Sequence, residues 1–408
     1  MTLSRTRSAF AAATALALAA TLTACDAGSA TPGSDPGSSA APGAGGDGAA
    51  EAAEPPRLVT NVRAGAQDVP VDKVVEVRAA GGTLRGVDVS SGSGPVPGEL
   101  GADGTTWTAS ARLEPGTSYA VRVRAEGADG TPARQTTRFQ TQDLSLDQQT
   151  YPSVAPLDGE TVGVGMPVVV GFDVPVTDRA AIEENLTVTS TPKQAGAWHW
   201  LSDTEVHWRP KRYWEAGTEV DVDVDINSVH AGGGVYGQES RQVEFEVGAA
   251  HVYRVDARTH QMRVFSDGEL LRSIPITLGK SGFTTRSGTK VIVEKFETRR
   301  MNSETVGIPA GSSEAYDIND VRYAMRLTYS GEFIHAAPWS EGSQGYANVS
   351  HGCTGMSTEN AAWLYAMTRR GDVVEYTGTD RPMTLDNGYG DWNTSFADYR
   401  QGSALSAR

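Results

Sequence analysis

The stretch "IHAAPWSEGSQGYANVSHGCTGMS", residues 334–357, decides how the rest of the chain is interpreted, because it holds two histidines and one of only two cysteines. His335 is followed by fourteen residues and then by "SHGC", residues 350–353. A free cysteine has a pKa of about 8.5, so a nucleophilic cysteine needs a base or a cation beside it. His351 and His335 are both candidates for that base. The stretch therefore raises a nucleophilic cysteine as one possible use of Cys353, beside a metal ligand, half of a disulfide or a small buried apolar residue, and leaves the choice of base open.

Cys353 and the histidines also have structural uses. A structural zinc site needs four ligands, and no further Cys or close His pair accompanies Cys353, so we expect no metal and no cofactor. A disulfide between Cys25 and Cys353 is a second structural use. His335, at the end of the apolar run "GEFIHAAPW", taken alone would more often be a satisfied core histidine on a strand.

A helix is predicted directly after the stretch. Ser357 is a good N-cap residue, Glu359 falls in the first turn, and Gly371 should end the helix. Its apolar face would consist of Ala361, Leu364, Tyr365 and Met367 or Thr368. Cys353 would then lie in a loop leading into a helix N-terminus, where N–H groups and the helix dipole favour an anionic sulfur.

The region around the stretch, residues 249–378, alternates in the manner of β-strands. A hairpin turn is expected at Ser266-Asp267-Gly268, and further strands at "GTKVIVEKF", "YAMRLTYSGEFIHAA" and "DVVEYTG". Residues 379–408 form a C-terminal subdomain. In it Trp392, Phe396 and Tyr399 fall at i, i+4 and i+7, which predicts a short helix docking on residues 249–378.

Residues 57–143 and 147–248 have short alternating runs broken by Gly, Pro and Asp, which is typical of antiparallel sandwiches. "WTASARLEPGTSYAVRV" is echoed by "WRPKRYWEAGTEVDVDV", so that Trp107 matches Trp208 at a spacing of 101 residues. The prediction is mainly β: two tandem immunoglobulin-like domains followed by a β-rich third domain. Neither sandwich contains cysteine, so neither carries an inter-sheet disulfide.

The N-terminus resembles a bacterial lipoprotein signal. Arg5 and Arg7 precede a short apolar run, and "LTAC" at residues 22–25 resembles a lipobox, whereas an ordinary secreted protein is the alternative. Residues 1–24 would be cleaved, Cys25 lipidated, and residues 25–56 would form a disordered tether rich in Ala, Gly, Ser and Pro. Lipidation would remove the disulfide partner of Cys353. The net charge of −15 argues against nucleic acid as a partner, so the lipid would supply the membrane contact.

As a whole, the stretch resembles the signature of the L,D-transpeptidases, peptidoglycan cross-linking enzymes with a YkuD-type catalytic domain. The resemblance includes "LGKSGFTTRSGTKVI", "MNSETVG", "RRGDVVEYT" and "GDWNTSFADYRQG". The two sandwiches and the lipoprotein signal look like those of actinobacterial members.

The resemblance implies a role for each matching residue. Cys353 would be the nucleophile, His335 the general base and acid, and the backbone carbonyl of Ala336 would orient the imidazole. His351 would support the loop. Oxyanion donors would be the N–H groups of Gly352 and Cys353 and the hydroxyl of Tyr316. Substrate contacts would come from Tyr316, Ser330, Gly331, Ser350, Met301 and Trp339. Gly355 stands where relatives usually have Asn or Arg, so a side-chain contact in the pocket would be missing.

The implied reaction joins two peptidoglycan stem peptides. Cys353 would attack the third residue of a donor tetrapeptide, D-alanine would leave, and the amine of an acceptor stem would attack the thioester to give a 3→3 cross-link. The thiolate would also be acylated by carbapenems. The protein would be a monomer, anchored to the outer face of the cell membrane and reaching into the wall.

Other functions stay open at this point. They are an L,D-carboxypeptidase that uses water as acceptor, and a wall-binding lipoprotein without activity. Thiol peptidases of the NlpC type are disfavoured because their cysteine precedes their histidine. Sortases are disfavoured because they need a "TLxTC"-like strand, which this sequence lacks.

Overall fold

The structure, a computed structural model, describes residues 54–406. Sandwich A comes first, and its core is shared by both of its sheets: Val77 and Trp107 come from one, Val121 and Phe139 from the other. Its strands are β1 (Arg57–Thr60), β2 (Ala66–Val69), β3 (Glu76–Ala80), β4 (Gly82–Ser91), β5 (Gly94–Val96), β6 (Gly98–Leu100), β7 (Thr106–Ala109), β8 (Ser118–Gly127) and β9 (Pro132–Thr141). The sheet orders are β1-β3-β7-β6 and β2-β9-β8-β4-β5.

Sandwich B repeats this design after a short 3₁₀ turn, Leu146–Gln148. Its elements are β10 (Gln149–Thr150), β11 (Pro152–Ala155), β12 (Glu160–Val162), β13 (Val168–Phe172), α1 (Arg179–Glu183), β14 (Leu186–Thr191), β15 (Gly196–Ser202), β16 (Glu205–Pro210), β17 (Glu219–Val224), β18 (His230–Gly232), β19 (Val235–Gly237) and β20 (Arg241–Val247). The two main sheets run β11-β13-β16-β15 and β12-β20-β17-β14, and β10-β19-β18 form a small third sheet. Trp208 on β16 is buried like its counterpart Trp107 on β7.

The third domain packs one five-stranded and one four-stranded sheet around a common core. Its elements are β21 (His251–Asp256), β22 (Gln261–Ser266), β23 (Glu269–Pro275), β24 (Gly288–Val291), β25 (Glu294–Asn302), β26 (Asp317–Arg326), β27 (Phe333–Ala336), β28 (Thr354–Met356), α2 (Thr358–Met367) and β29 (Val373–Thr377), with 3₁₀ turns at Ser303–Val306 and Pro338–Ser343. The sheet orders are β23-β22-β21-β29-β24 and β25-β26-β27-β28. The mainly β prediction is confirmed.

Local signals in the third domain were predicted well. The β22–β23 turn has Asp267 at φ 49° and Gly268 at φ 85°, as a two-residue hairpin turn requires. Ser357 caps α2 by accepting a hydrogen bond from the Asn360 N–H. The end of α2 was predicted wrongly, because the helix stops at Met367 and Thr368 is already extended, three residues before Gly371.

The C-terminal segment bridges sandwich B and the third domain. It contains two separate short helical pieces, a 3₁₀ turn at Asp391–Asn393 and α3 (Phe396–Tyr399), followed by a 3₁₀ turn at Arg400–Gly402. The Asn393 side chain bonds the backbone of Thr289 on β24.

The predicted docking of the three aromatic side chains on the third domain is wrong, because a residue of sandwich B holds them instead. The guanidinium of Arg209 on β16 lies 4.8 Å, 5.4 Å and 4.4 Å from the ring centroids of Trp392, Phe396 and Tyr399. Tyr399 also stacks on His199 of β15. The spacing at i, i+4 and i+7 identified a shared face but could not identify the surface that covers it.

The expected signal peptide, the lipidated Cys25 and nearly all of the tether lie outside the described residues. No helix within residues 54–406 is both long and apolar enough to cross a membrane.

Candidate active site

Strand pairing brings His335 and Cys353 together across their eighteen-residue separation. Strands β27 and β28 are parallel neighbours, with Ile334 opposite Thr354 and His335 opposite Gly355. Cys353 directly precedes β28. The intervening loop, which contains the Pro338–Ser343 turn, serves as the crossover between the two strands. Parallel strands require such a connection, and here it places the imidazole and the thiol at one pocket.

His335 is held in one tautomer. Its Nδ1 lies 2.8 Å from the carbonyl oxygen of Ala336, and because a carbonyl can only accept, Nδ1 carries the proton. The lone pair of the neutral ring is therefore on Nε2. Burial lowers the pKa of His335 below 6.5, although the bond to Ala336 opposes the shift. The imidazole is thus neutral at pH 7 and able to accept a proton.

Cys353 is a neutral thiol in the resting structure. Burial raises the pKa of its thiol to about 12, outweighing the backbone N–H of Phe333, which favours the thiolate. The thiol donates to the carbonyl oxygen of Gly331 at 3.6 Å. Within residues 54–406 no hydrogen bond joins it to His335, so the sulfur must turn from Gly331 toward the imidazole before a proton can pass.

The expected help from a helix N-terminus does not apply to this sulfur. Strand β28 lies between Cys353 and the first turn of α2, so the cysteine is not at the helix end. The groups that face the sulfur come instead from the segment 331–333.

The loop before Cys353 is fixed by Ser350. Its hydroxyl donates to the carbonyl of Cys353 at 2.6 Å and accepts the N–H of Gly352 at 3.1 Å. This contact occupies the Gly352 N–H that we expected as an oxyanion donor. The N–H of Cys353 has no partner within the described part of the chain, so it is the backbone donor that remains free.

His351 lies beside the pocket and is tied to its wall. Its Nε2 is 2.8 Å from Glu314, which also pairs with Lys280 at 2.5 Å. Its ring contacts those of Phe283 and Tyr316, with centroids 4.7 Å and 5.0 Å away. Because a carboxylate can only accept, this nitrogen carries a proton and cannot take one from Cys353.

Two pockets open beside Cys353. The main pocket, of about 320 Å³, is lined by His335 and Cys353 together with Met301, Tyr316, Trp339, Ser350 and His351. A second pocket of about 180 Å³, which we call the arginine pocket, shares Met301, Tyr316 and Cys353 and adds Gly331. Burial and the neighbouring Cys353 raise the pKa of Tyr316 to about 12, so its hydroxyl stays protonated.

Two residues that we predicted as substrate contacts, Ser330 and Gly355, line neither of these two pockets. Ser330 is exposed at the rim, where Asn387 bonds both its backbone N–H and its hydroxyl. Gly355 lines an adjacent cavity of about 170 Å³, which shares His335, Trp339 and Ser350 with the main pocket. A Cβ at position 355 would lie 2.9 Å from the Ala337 Cβ and 3.0 Å from the Thr277 Cγ2, so even alanine would displace its neighbours.

Sequence reasoning missed a buried ionic cluster behind Cys353. Lys290 is fully buried, 2.5 Å from the Glu332 carboxylate, and Glu332 also pairs with Arg286 at 2.9 Å. Burial lowers the pKa of Lys290 to about 8, against the attraction of Glu332. The sequence feature that could have revealed this cluster is Lys290 at the start of the apolar run "KVIV", residues 290–293. Among residues 54–406 no cluster of His, Cys, Asp and Glu could hold a metal ion.

The chain was compared with known proteins. A bacterial Ig domain family matches residues 66–230, and an L,D-transpeptidase catalytic domain family, YkuD, matches residues 250–375. L,D-transpeptidase 2 of Mycobacterium tuberculosis is 39% identical over 86% of this chain and 85% of its own length. L,D-transpeptidase 5 of the same species is 33% identical over 86% of this chain and 77% of its own length.

One solved structure, an L,D-transpeptidase in complex with imipenem, is 39% identical, covers 55% of this chain and 97% of its own, and has a TM-score of 0.49. The family assignment rests on the sequence matches, which extend over most of this chain and of its relatives. The chain belongs to the L,D-transpeptidase family, with a bacterial Ig-like region followed by a YkuD catalytic domain.

Proposed function

We propose that this transpeptidase forms 3→3 peptidoglycan cross-links through a thioester on Cys353, with His335 as the shuttle for protons. One observation carries the proposal. The β27–β28 pairing places a neutral imidazole with a free Nε2 lone pair and a half-buried thiol at the same pocket. A general base must be able to reach the proton it removes, and a shared pocket for the two side chains meets the first condition for such a transfer.

The first half-reaction forms the acyl-enzyme. As Sγ bonds to the carbonyl carbon of the third donor residue, Nε2 of His335 takes the thiol proton. The bond to the terminal D-alanine then breaks, and His335 gives that proton to the leaving amine. The Phe333 N–H, which faces the sulfur, favours the negative charge that develops on it.

The second half-reaction transfers the acyl group. The amine of an acceptor stem attacks the thioester carbonyl, His335 removes a proton from it, and the carbon–sulfur bond breaks. The proton returns to the sulfur and restores the neutral pair. If water attacked instead, the product would be a tripeptide, and the protein would be an L,D-carboxypeptidase.

Both steps pass through an oxyanion, which needs donors already in place. The N–H of Cys353, free within the described residues, and the Tyr316 hydroxyl are our candidates. Because Gly352 donates to Ser350, we assign Gly352 and Ser350 to holding the loop.

The test is to observe the acyl-enzyme. Wild-type protein incubated with a disaccharide tetrapeptide should gain the mass of the acyl group as D-alanine is released, and a carbapenem should add its mass to the same residue. Cys353→Ala should gain neither mass, and His335→Gln should acylate at least about 100-fold more slowly. A wild type without an adduct, or a Cys353→Ala variant with one, would refute the proposal.

We also propose that lipid on Cys25 anchors the enzyme to the outer face of the cell membrane. The lipobox-like "LTAC" supports this, although it lies outside the described residues. Cys25→Ser should release the protein from the membrane fraction without lowering Cys353 acylation in vitro. Retention of the variant in the membrane fraction would contradict the anchor.

A further inference from the structure

The arginine pocket concentrates positive charge beside Cys353, although the chain has a net charge of −15. Three arginines line it: Arg299 and Arg300 from β25, and Arg326 from the end of β26. A cluster of arginines in an otherwise acidic protein creates a local positive potential, which favours binding of an anion. The charge partners of the three arginines decide which of them are free to bind one.

Arg300 is already neutralised, because it forms a two-bond pair with Asp317 at 2.8 Å and 2.6 Å. Arg326 has Glu294 within 3.2 Å of its Nε, but the contact is not aligned as a hydrogen bond, and that buried Nε has no hydrogen-bond partner in the described part of the chain. The side chain of Arg299 has neither a carboxylate partner nor a hydrogen bond within residues 54–406, and its guanidinium lies 4.3 Å from the ring centroid of Phe296. The pocket therefore retains one unpaired guanidinium and one incompletely paired guanidinium.

Phe333 links these two arginines to the nucleophile. The guanidinium groups of Arg299 and Arg326 lie 5.5 Å and 5.1 Å from its ring centroid. The backbone N–H of the same residue faces the Cys353 sulfur. Both cations thus pack on the residue whose backbone N–H faces the sulfur, and Thr305, Tyr316 and Tyr329 also line the pocket.

We propose that Arg299, assisted by Arg326, binds a carboxylate of the peptide substrate in the arginine pocket while Cys353 reacts. The proposal rests on the proposed function for the identity of the substrate. A guanidinium matches a carboxylate in shape and can bind it with two hydrogen bonds. The pocket's small volume suits a single residue rather than a longer peptide.

Two carboxylates have this chemistry. One is the terminal carboxylate of the donor's D-alanine, which lies next to the bond that Cys353 breaks. The other is the side-chain carboxylate of the diamino acid whose amine attacks in the second step, which exists only in a diamino acid with two carboxyl groups. The two carboxylates can be distinguished experimentally, because the first takes part in acylation and the second in acyl transfer.

The binding test does not depend on catalysis. In the full chain carrying Cys353→Ser, titration calorimetry compares a disaccharide tetrapeptide with the same peptide ending in a carboxamide. Arg299→Gln should weaken binding of the acid about 10- to 100-fold. If the pocket holds the terminal carboxylate, the carboxamide already binds more weakly and should not lose further affinity, whereas if the pocket holds the carboxylate of the diamino acid, both peptides should lose affinity equally. Arg299→Lys should restore part of the loss. Arg322→Gln, which removes an equal charge from exposed β26 outside the pocket, is the matched control.

Kinetics of the enzyme with Cys353 present then identify the source. If Arg299→Gln slows acylation by the acid but not by the carboxamide, the pocket holds the donor's terminal carboxylate. If it slows only the transfer from a preformed acyl-enzyme to the acceptor, the pocket holds the acceptor's carboxylate. Alkylation of Cys353 by iodoacetamide should be unchanged, which shows an intact thiol.

An Arg299→Gln variant that binds acid and amide as the wild type does, and reacts as fast in both steps, would overturn the inference. A wild type that forms no acyl-enzyme would refute the proposed function, whereas the calorimetric comparison would still decide the carboxylate site.

Discussion

At the residue scale, desolvation dominates the chemistry of the site. It raises the pKa of Cys353 and lowers that of His335, so both groups are uncharged at neutral pH. A preformed thiolate–imidazolium pair would need a lowered pKa at Cys353 and a raised pKa at His335. In the proposed mechanism, His335 must therefore remove the thiol proton while the sulfur attacks, because no thiolate is formed beforehand.

This neutral pair predicts the pH dependence of acylation. Protonation of His335 blocks its Nε2, so the rate constant for acylation by a neutral tetrapeptide amide should fall only below pH 6.5, with a single acid limb. In His335→Gln only thiolate reacts, so the residual rate should rise about tenfold per pH unit from pH 7 to 9, because the thiol pKa is far above that range. A residual rate in the variant that levels off near neutral pH would contradict the assignment of a high thiol pKa.

Gly331 gives a second prediction at this scale. Its carbonyl accepts the thiol, its φ is +98°, and a Cβ there would lie 2.4 Å from the Val306 Cγ1. Gly331→Ala should therefore shift the segment that holds the sulfur, lowering stability by about 1–3 kcal/mol and acylation at least about tenfold.

Gly307→Ala is the matched control for Gly331→Ala. Gly307 has φ +81° with nothing within 4 Å of the added Cβ, so it carries the backbone strain without the collision. Intact-mass acylation rates and melting curves of both variants test the point. Equal acylation losses in the two variants would show that the contact with Val306 is irrelevant.

At the element scale, local patterns predicted local structure. Ser357 capped its helix and Asp267-Gly268 made the turn, because caps and turns depend on neighbours in sequence. The position of Cys353 before a strand, not a helix, could not be predicted, because β28 forms by pairing with residues distant in sequence, β27 and Thr277. The β-propensities of Thr354–Met356 do not indicate a strand of three residues.

The ionic link between β24 and the start of β27 is likewise a tertiary feature, and it makes a prediction. Glu332→Gln would leave the fully buried Lys290 without its counter-charge, which should destabilise the third domain by about 3–5 kcal/mol. The double variant Lys290→Met, Glu332→Gln removes the buried cation and keeps a side-chain oxygen for Arg286, so it should recover most of that loss. Denaturant melts of the single and double variants give the comparison, and a double variant as unstable as the single one would contradict the account.

At the scale of the whole molecule, the C-terminal segment connects sandwich B with the third domain. The contact centres on His207 of β16, which is fully buried between Asp391 and Glu205, with both distances 3.0 Å. Burial alone would lower the pKa of His207, but the two carboxylates outweigh it and raise the pKa to about 9. The imidazolium therefore stabilises the docked arrangement.

The raised pKa sets the direction of a stability change. The contribution of protonated His207 to the free energy of unfolding is fully present below pH 6.5, the ordinary pKa of histidine. It is lost as the pH rises through about 9. From pH 6.5 to 9.5 the wild type should lose on the order of 2 kcal/mol. The His207→Gln, Asp391→Asn double variant should lose much less over the same range, as monitored by melting temperature. Parallel losses in the two proteins would exclude His207 as the source.

The central claim is that the enzyme builds 3→3 cross-links through Cys353, and product analysis tests it most directly. Purified protein is incubated with disaccharide tetrapeptide, and the products are sequenced by tandem mass spectrometry. We expect a dimer joined between the third residues of its two stems, with release of D-alanine, and no dimer from Cys353→Ala. Tripeptide without dimer would make the protein a carboxypeptidase, and equal dimer from Cys353→Ala would contradict the account.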